Sequence, residues 1–353
     1  MTDYFIVFLI PIILSYLLTP LAKYTAKKIG AIDVPKDDRR VHKVPIPRLG
    51  GLAIYLATII SMFIFLEDID KSIISIMIGG TIIVITGIID DVKPISARWK
   101  LFFQILSALV LVMGDIRIEY IGNPFVKNSV INLGMFSIPV TIFWTIGITN
   151  TLNLIDGLDG LSAGVGAIAA VSLFFVAASI DFIDTTMVMI LCAIIAGSAF
   201  GFLPHNFNPA KIFMGDTGAL FLGFMLSVVA MEGVMKSVAT ITIVVPILAL
   251  GLPIFDTTFA IIRRVINKRP IGEADKGHVH HRLLDKGLSQ KQAVLILYMV
   301  SAIFGSAAVL MAGLKPGYGV IVVGIILTLL FLGAARFGIL GVVDIKKKNR
   351  EKR

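Results

Sequence analysis

Three acidic clusters and one histidine run hold the side chains able to do chemistry in a chain that is otherwise apolar. Asp90 and Asp91 sit together at the end of an apolar run, in GIIDDVKPISARWK. A carboxylate at a helix C-terminus opposes the macrodipole, so an adjacent pair there asks for a compensating cation. Magnesium suits it, being held by one or two carboxylates together with phosphate oxygens and retained waters; a solvated helix end is the competing reading. Lys93, Arg98 and Lys100 follow, suited either to phosphate contacts or to anchoring at a membrane interface.

Asp216, in MGDTG, opens another apolar run, where an Asp is commonly an N-cap. It faces the same membrane surface as Asp90 and Asp91, so a shared cation competes with capping. In NTLNLIDGLDGLSAG, residues 150 to 164, Asn153, Asp156 and Asp159 are spaced by three. On a helix each such step turns about −60°, which places the trio on one arc of about 120°. Asp-Gly turns account for the glycines but not for a matched face. His278, His280 and His281, in HVHHRLLDKG, follow the basic stretch that begins at Arg263 and Arg264. Clustered histidines suggest zinc, but no Cys supports it and the surrounding Arg and Lys oppose a cation; a donor-rich surface for an anion fits better. VHKVPIPRLGG places His42, Lys43 and Arg48 before Gly50 and Gly51. Those glycines either expose backbone N–H groups to phosphate or pack against a neighbouring helix.

The elements that must position these residues are membrane spans. The 353 residues are 57% hydrophobic and 16% charged, with a mean hydropathy of +0.92, far from the composition of a soluble domain. Apolar runs suited to a hydrocarbon core of about 30 Å fall near 4–22, 49–66, 73–89, 101–114, 136–149, 161–179, 186–203, 218–232, 238–262, 293–313 and 319–340. The expectation is an all-α polytopic membrane protein with about eleven spans, ten being the alternative count. The first run lacks a basic leader and a cleavage site, so it reads as a retained span with its N-terminus outside. Threading the loops from there puts 27 of the 32 Lys and Arg on the inner side, as the positive-inside rule requires. All five histidines fall on that side too, which places the chemistry and the C-terminus in the cytoplasm.

One membrane domain, 1–353, is expected, with 263–292 as its main cytoplasmic loop and 341–353 as a basic tail. The net charge of +9 is explained by basic loops facing anionic lipids and does not argue for nucleic acid. Cys192 is the single cysteine, so no disulfide framework is available. Residues 115–136 alternate apolar positions around a Gly-Asn-Pro turn and predict a small external β-hairpin. Pro246 and Pro253 predict a bend in the ninth span that leaves room for a groove. Ser289 and Gln292 have capping-box spacing ahead of the tenth.

Between about residues 40 and 285, HKVPIPRLGG, DDVKPISARWKLFFQ, NTLNLIDGLDGL, HNFNPAKIFMGDTGA, PIFDTTFAIIRR and HVHHRLL occur in order. Together they resemble the polyprenyl-phosphate N-acetylhexosamine-1-phosphate transferases, a superfamily of phospho-MurNAc-pentapeptide translocases and initiating GlcNAc-1-phosphate transferases. The resemblance implies Mg²⁺-dependent transfer, with Mn²⁺ as the alternative metal, of a sugar 1-phosphate from a UDP-sugar to undecaprenyl phosphate, releasing UMP. Carried over by motif, Asp216 looks like the principal metal ligand and Asn153 like a metal-site residue. Asp90 and Asp91 match the acidic pair beside the reacting phosphates, with Asp91 also counted toward the metal. Lys100 resembles a phosphate-contacting lysine, and Asp159 and Lys43 nucleotide-side contacts. Asp156 matches a catalytic-site position without an assigned role. Arg264, His278, His280 and His281 look like the loop contacting pyrophosphate and sugar.

HVHHRLL is similar to the GlcNAc-transferring branch, so UDP-GlcNAc is the expected donor, and a phospho-MurNAc-pentapeptide transferase is the alternative. The resemblance also implies a bacterial inner or plasma membrane location and a homodimer. A secondary transporter predicts ionisable groups near the bilayer midplane, whereas these spans are nearly free of charge. A scaffold without chemistry does not explain acids and histidines sorted to one side.

Overall fold

The computed structural model describes residues 3–35, 44–122, 130–180, 184–235, 244–268, 270, 277–313, 324 and 328. His42 and Lys43, the tail at 341–353 and all but two residues of the span expected at 319–340 lie outside the described residues.

The fold is all-α and multi-pass. Its helices are α1 (Tyr4–Ile29), α2 (Gly51–Phe65), α3 (Lys71–Val92), α4 (Ala97–Met113), α5 (Ser137–Ile155), α6 (Leu161–Ala178), α7 (Thr186–Asn206), α8 (Gly215–Ala230), α9 (Val244–Ala249), α10 (Gly251–Ile266), α11 (Val279–Asp285) and α12 (Gln290–Gly313). Seven of the described helices, α1, α3, α5, α6, α7, α8 and α12, are long and apolar enough to cross a membrane. Their ends follow local chemistry. Asp3 and Asp70 accept backbone N–H groups at the starts of α1 and α3, and Gly30 ends α1 at φ 80°. The capping box of α12 forms as expected, with Ser289 N donating to Gln292 Oε1 at 2.9 Å.

α8 is the axis of the bundle. Nearly all of its residues are buried, and it packs against α2, α3, α5, α6 and α7. In lipid, helices associate by close packing rather than by a hydrophobic drive, which favours small residues at their crossings. A Cβ on Gly51 would collide with the backbone of Gly218, and one on Gly87 with that of Thr217. Glycine at these two positions lets α2 and α3 reach the N-terminal end of α8.

The expected hairpin is present: β3 (Tyr120–Gly122) pairs antiparallel with β4 (Val130–Asn132), Ile121 opposite Ile131. Ile116 and Ile118 lie outside it and are buried in the core instead. A second pair was not anticipated, β1 (Ile32–Asp33) against β2 (Ile46–Pro47). The ninth span is broken as its prolines require, into α9 and α10 at Leu250, with Pro253 in the first turn of α10 where its missing N–H costs little.

The fifth run differs from expectation. α5 ends at Ile155, Asp156 is its C-cap and Asp159 lies in the turn before α6. Asn153, Asp156 and Asp159 therefore do not share one helical arc, because Gly157 and Gly160 end one helix before the next begins.

Candidate active site

The ends of α3, α5 and α7 and the starts of α4, α6, α8 and α12 converge, and the polar side chains meet there. Asp91, buried at the end of α3, organises the centre. Its Oδ1 accepts from Arg48 Nε and Asp216 N, each at 3.0 Å, and pairs ionically with Arg48 Nη2 at 3.0 Å. Its Oδ2 accepts from Thr217 N at 3.0 Å and Thr217 Oγ1 at 2.7 Å. The carboxylate that is misplaced for its own helix dipole thus caps another: the first turn of α8 donates to it. Asp216 is not itself an N-cap but lies one position inside α8, after Gly215.

Lys100, in the first turn of α4, is the second cation of the cluster. Its Nζ lies 2.9 Å from Asp90 Oδ2 and 2.6 Å from Asp216 Oδ2. Asp90 Oδ1 accepts Ile95 N at 2.9 Å, which fixes the turn between α3 and α4. Arg48 Nη2 stands 3.9 Å from Asp216 Oδ1, and the Asn153 side chain lies beside the Asp216 carboxylate and favours its charged form. Asp216 is therefore where side chains from α4, α5 and the segment before α2 meet. Asp156 stands behind it. Burial, and then the nearby Asp216 and Asp91 carboxylates, push its carboxyl up to about 8, with Arg48 opposing.

The donor set was tested against a metal. Among the described residues no group of three or more His, Cys, Asp or Glu is arranged to hold one. A sparse donor set of this kind fits magnesium, which takes one or two carboxylates and completes its shell with water and phosphate. The Asp90, Asp91 and Asp216 carboxylates outnumber Lys100 and Arg48, an excess that a divalent cation would help balance. Asp216 and Asn153 have oxygens free to turn toward it. Asp91 does not, since four hydrogen bonds and the Arg48 ion pair occupy its oxygens; its place is to position Arg48 and α8.

Comparison with known proteins follows this geometry. The family model described as glycosyl transferase family 4 matches residues 73–234. A probable undecaprenyl-phosphate N-acetylglucosaminyl 1-phosphate transferase of Bacillus subtilis (strain 168) is 40% identical over 306 residues, 87% of this chain and 84% of that protein. The chain belongs to glycosyl transferase family 4. A decaprenyl-phosphate N-acetylglucosaminephosphotransferase of Mycobacterium leprae is 33% identical over 325 residues, 84% of this chain and 81% of that one. A phospho-N-acetylmuramoyl-pentapeptide-transferase of Borrelia turicatae is 31% identical over 303 residues, covering 77% and 84%.

Around the acidic centre of this family 4 protein, neighbouring loops are tied together. Asp159 Oδ2 accepts from Asn208 Nδ2 at 2.9 Å and Ala210 N at 3.0 Å, and Asn208 also donates to Gln290 at 2.7 Å. Asn206 bridges Gly160 N and Ile212 O, and the Tyr298 hydroxyl donates to Gly160 O. Gly50 N and Gly51 N donate to Phe213 O and Met214 O. The two glycines thus pack and pair, leaving no N–H for phosphate.

The histidine run divides. His278 Nδ1 meets Asp256 Oδ2 at 2.8 Å, and Asp256 Oδ1 accepts Val279 N at 2.9 Å. His278 and His280 are only 5% and 2% exposed, and their rings stack 5.7 Å apart at 8° rather than converging on a metal. His280 presses on Gly157, where a Cβ would collide with its ring. Burial, and then His281 beside it, pull the His280 imidazole down to about 3. Only His281 is half-exposed at the start of α11, and Arg264 is buried in the last turn of α10. Sequence reasoning missed Arg48 as the partner of Asp91, and also Thr217, Asn206, Asn208 and Asp256. HNFNP held the signal for the asparagines: two amides beside a proline, just ahead of MGD.

Proposed function

We propose that this protein transfers GlcNAc 1-phosphate from UDP-GlcNAc to undecaprenyl phosphate at the cytoplasmic face of a bacterial membrane. The observation that carries the reading is the meeting of Lys100, Arg48 and Asn153 on Asp216, beside Asp90, at the end of a membrane bundle. The names of the relatives support the polyprenyl acceptor and the sugar donor. The sorting of Lys and Arg supports the cytoplasmic face.

The obstacle is mutual repulsion, because a phosphate must approach the phosphorus of a pyrophosphate. Lys100 and Arg48 place positive charge at that meeting point and, in a site of low dielectric, neutralise it effectively. Asp216 and Asn153 would hold magnesium, or manganese, which would supply further neutralisation of negative charge when bound. An acceptor oxygen attacks the sugar-bearing phosphorus, the bridge to the nucleotide phosphate breaks, and UMP leaves. The acceptor phosphate, with a second pKa near ~6, is already mostly a dianion at neutral pH, so Asp90 orients Lys100 and need not take a proton. We propose direct attack in one step. Asp159 shapes the nucleotide side through the 208–210 turn, and Arg264 and His281 face the sugar and pyrophosphate, with His278 and His280 fixing that loop. The break between α9 and α10, with Phe259, Ile262, Val265 and Ile266 exposed along α10, offers a path for the isoprenoid chain.

The test is UMP release by purified protein given undecaprenyl phosphate, Mg²⁺ and either UDP-GlcNAc or UDP-MurNAc-pentapeptide. Release with UDP-GlcNAc is expected. Release with the pentapeptide nucleotide alone would replace the donor assignment. Exchange of labelled UMP into UDP-GlcNAc without lipid would replace the one-step mechanism.

A further inference from the structure

Gln104 on α4 and Asn150 on α5 face each other as a closed amide pair. Gln104 Nε2 donates to Asn150 Oδ1 at 3.1 Å and Asn150 Nδ2 donates to Gln104 Oε1 at 2.8 Å. Asn150 also donates to Ile146 O at 2.9 Å. Gln104 is 2% exposed. We propose that this pair is a positioning device that sets the reach of Lys100 and Asn153 onto Asp216. The inference rests on the transfer reaction proposed above.

The argument is one of register. Gln104 lies four residues after Lys100 on α4, and Asn150 three residues before Asn153 on α5, so each amide sits one turn from a side chain that touches Asp216. Both arms are short of slack. Lys100 Nζ must hold 2.6 Å to Asp216 and 2.9 Å to Asp90 together, while Asn153 lies beside the same Asp216 carboxylate. A slide or rotation of α4 against α5 by a fraction of a turn separates the two arms.

Apolar packing does not prevent such a slide, because in lipid one apolar face is nearly as good a neighbour as another. A reciprocal amide pair does prevent it, because both hydrogen bonds form in one register and an amide left unpaired in apolar surroundings is costly. One turn beyond Gln104, α4 is tied to α3 through Ser107 Oγ, which donates to Gly79 O at 2.9 Å. α4 is thereby fixed between the helix that carries Asp90 and Asp91 and the helix that carries Asn153. Each amide is engaged by the other, and both are assigned as positioning residues.

The experiment uses the full-length protein in detergent and follows UMP release and the thermal midpoint. Four variants are compared: Gln104→Leu, Asn150→Leu, the double leucine variant, and the exchanged pair Gln104→Asn with Asn150→Gln. The exchange keeps the combined length of the two side chains and both hydrogen bonds. The single variants are expected to lose on the order of tenfold to 100-fold in kcat, with KM for UDP-GlcNAc nearly unchanged. The double leucine variant leaves no orphaned amide, so it should recover thermal stability without recovering kcat. The exchanged pair should recover kcat. In a Lys100→Ala background, Gln104→Leu should change kcat by less than about twofold.

A double leucine variant with wild-type kcat overturns the proposal, and so does a loss of kcat that only tracks the thermal midpoint. If the wild type releases no UMP from UDP-GlcNAc, the reaction assignment fails, and the pair is then read by the rise in thermal midpoint that Mg²⁺ with UMP produces. A rise diminished in both single variants and restored in the exchanged pair supports the device. A rise unchanged in all four overturns it.

Discussion

Lys100 Nζ lies 2.6 Å from Asp216 Oδ2, a pairing made across 116 residues of chain. It puts a fixed ammonium on the carboxylate best placed to hold a metal. Asp216→Asn removes that charge while keeping the shape. Mg²⁺-dependent UMP release should fall by a factor of about 1,000 or more, the scale of losing one main electrostatic group, with the thermal midpoint close to wild type. Retained activity with unchanged Mg²⁺ dependence refutes the metal assignment.

Asp90 and Asp91 are adjacent in sequence, but their substitutions should separate. Asp91→Ala strands Arg48 and uncaps α8, and breaking a buried, fully bonded carboxylate costs about 3 kcal/mol; the thermal midpoint should drop clearly. Asp90→Asn keeps an acceptor for Ile95 N and loses only the charge facing Lys100. Its midpoint should stay near wild type while kcat falls. Equal losses of stability in the two variants contradict the division of roles.

Burial and the neighbouring Asp216 and Asp91 carboxylates keep Asp156 mostly protonated at neutral pH, and a divalent cation placed beside them would draw that proton off. Asp156→Asn should raise the Mg²⁺ concentration for half-maximal activity by about tenfold, the effect typical of a group supporting a metal from outside its ligands. The measurement is a Mg²⁺ titration of initial rate at saturating substrates. An unchanged midpoint of that titration removes Asp156 from the metal's surroundings.

Gly87→Ala places a methyl group against the Thr217 backbone. Overpacking of this kind costs about 1–3 kcal/mol, and here it also spreads the crossing that brings Asp91 to Thr217. Both thermal midpoint and kcat should fall, whereas Gly147→Ala, where nothing lies within 4 Å, should be silent.

His280 should make stability fall on the acid side. Unfolded, it takes up a proton near pH 6.5; folded, burial and then His281 hold it neutral down to about 3. Between those values the unfolded chain binds more protons, so stability decreases as pH falls. His280→Asn should show a shallower drop in thermal midpoint from pH 7 to pH 4.5 than wild type. Parallel curves would rule out His280 as a source of the acid sensitivity.

Hydropathy and local signals were enough for an all-α multi-pass bundle, the hairpin around Tyr120–Gly122, the capping box at Ser289 and the break in the ninth span. Each depends on residues within a few turns of one another, and apolar length, turn residues and cap spacing act at that range. The six ordered motifs likewise carried the family. Where a local rule was extended past its element it failed: the three-residue spacing of Asn153, Asp156 and Asp159 describes a helix that ends at Ile155.

Only the folded bundle decided which charges face which. Arg48 reaches Asp91 across 43 residues and Thr217 reaches it across 126, and no periodicity links positions so far apart. Glycines at 51 and 87 set how closely α2 and α3 approach α8, and that distance decides that Asp91 caps α8 while Asp216 meets Lys100. The sequence by itself determined that acids, amides and cations gather at one end of a membrane bundle. Helix packing decided their partners, because a carboxylate's role depends on which donors come within about 3 Å of it.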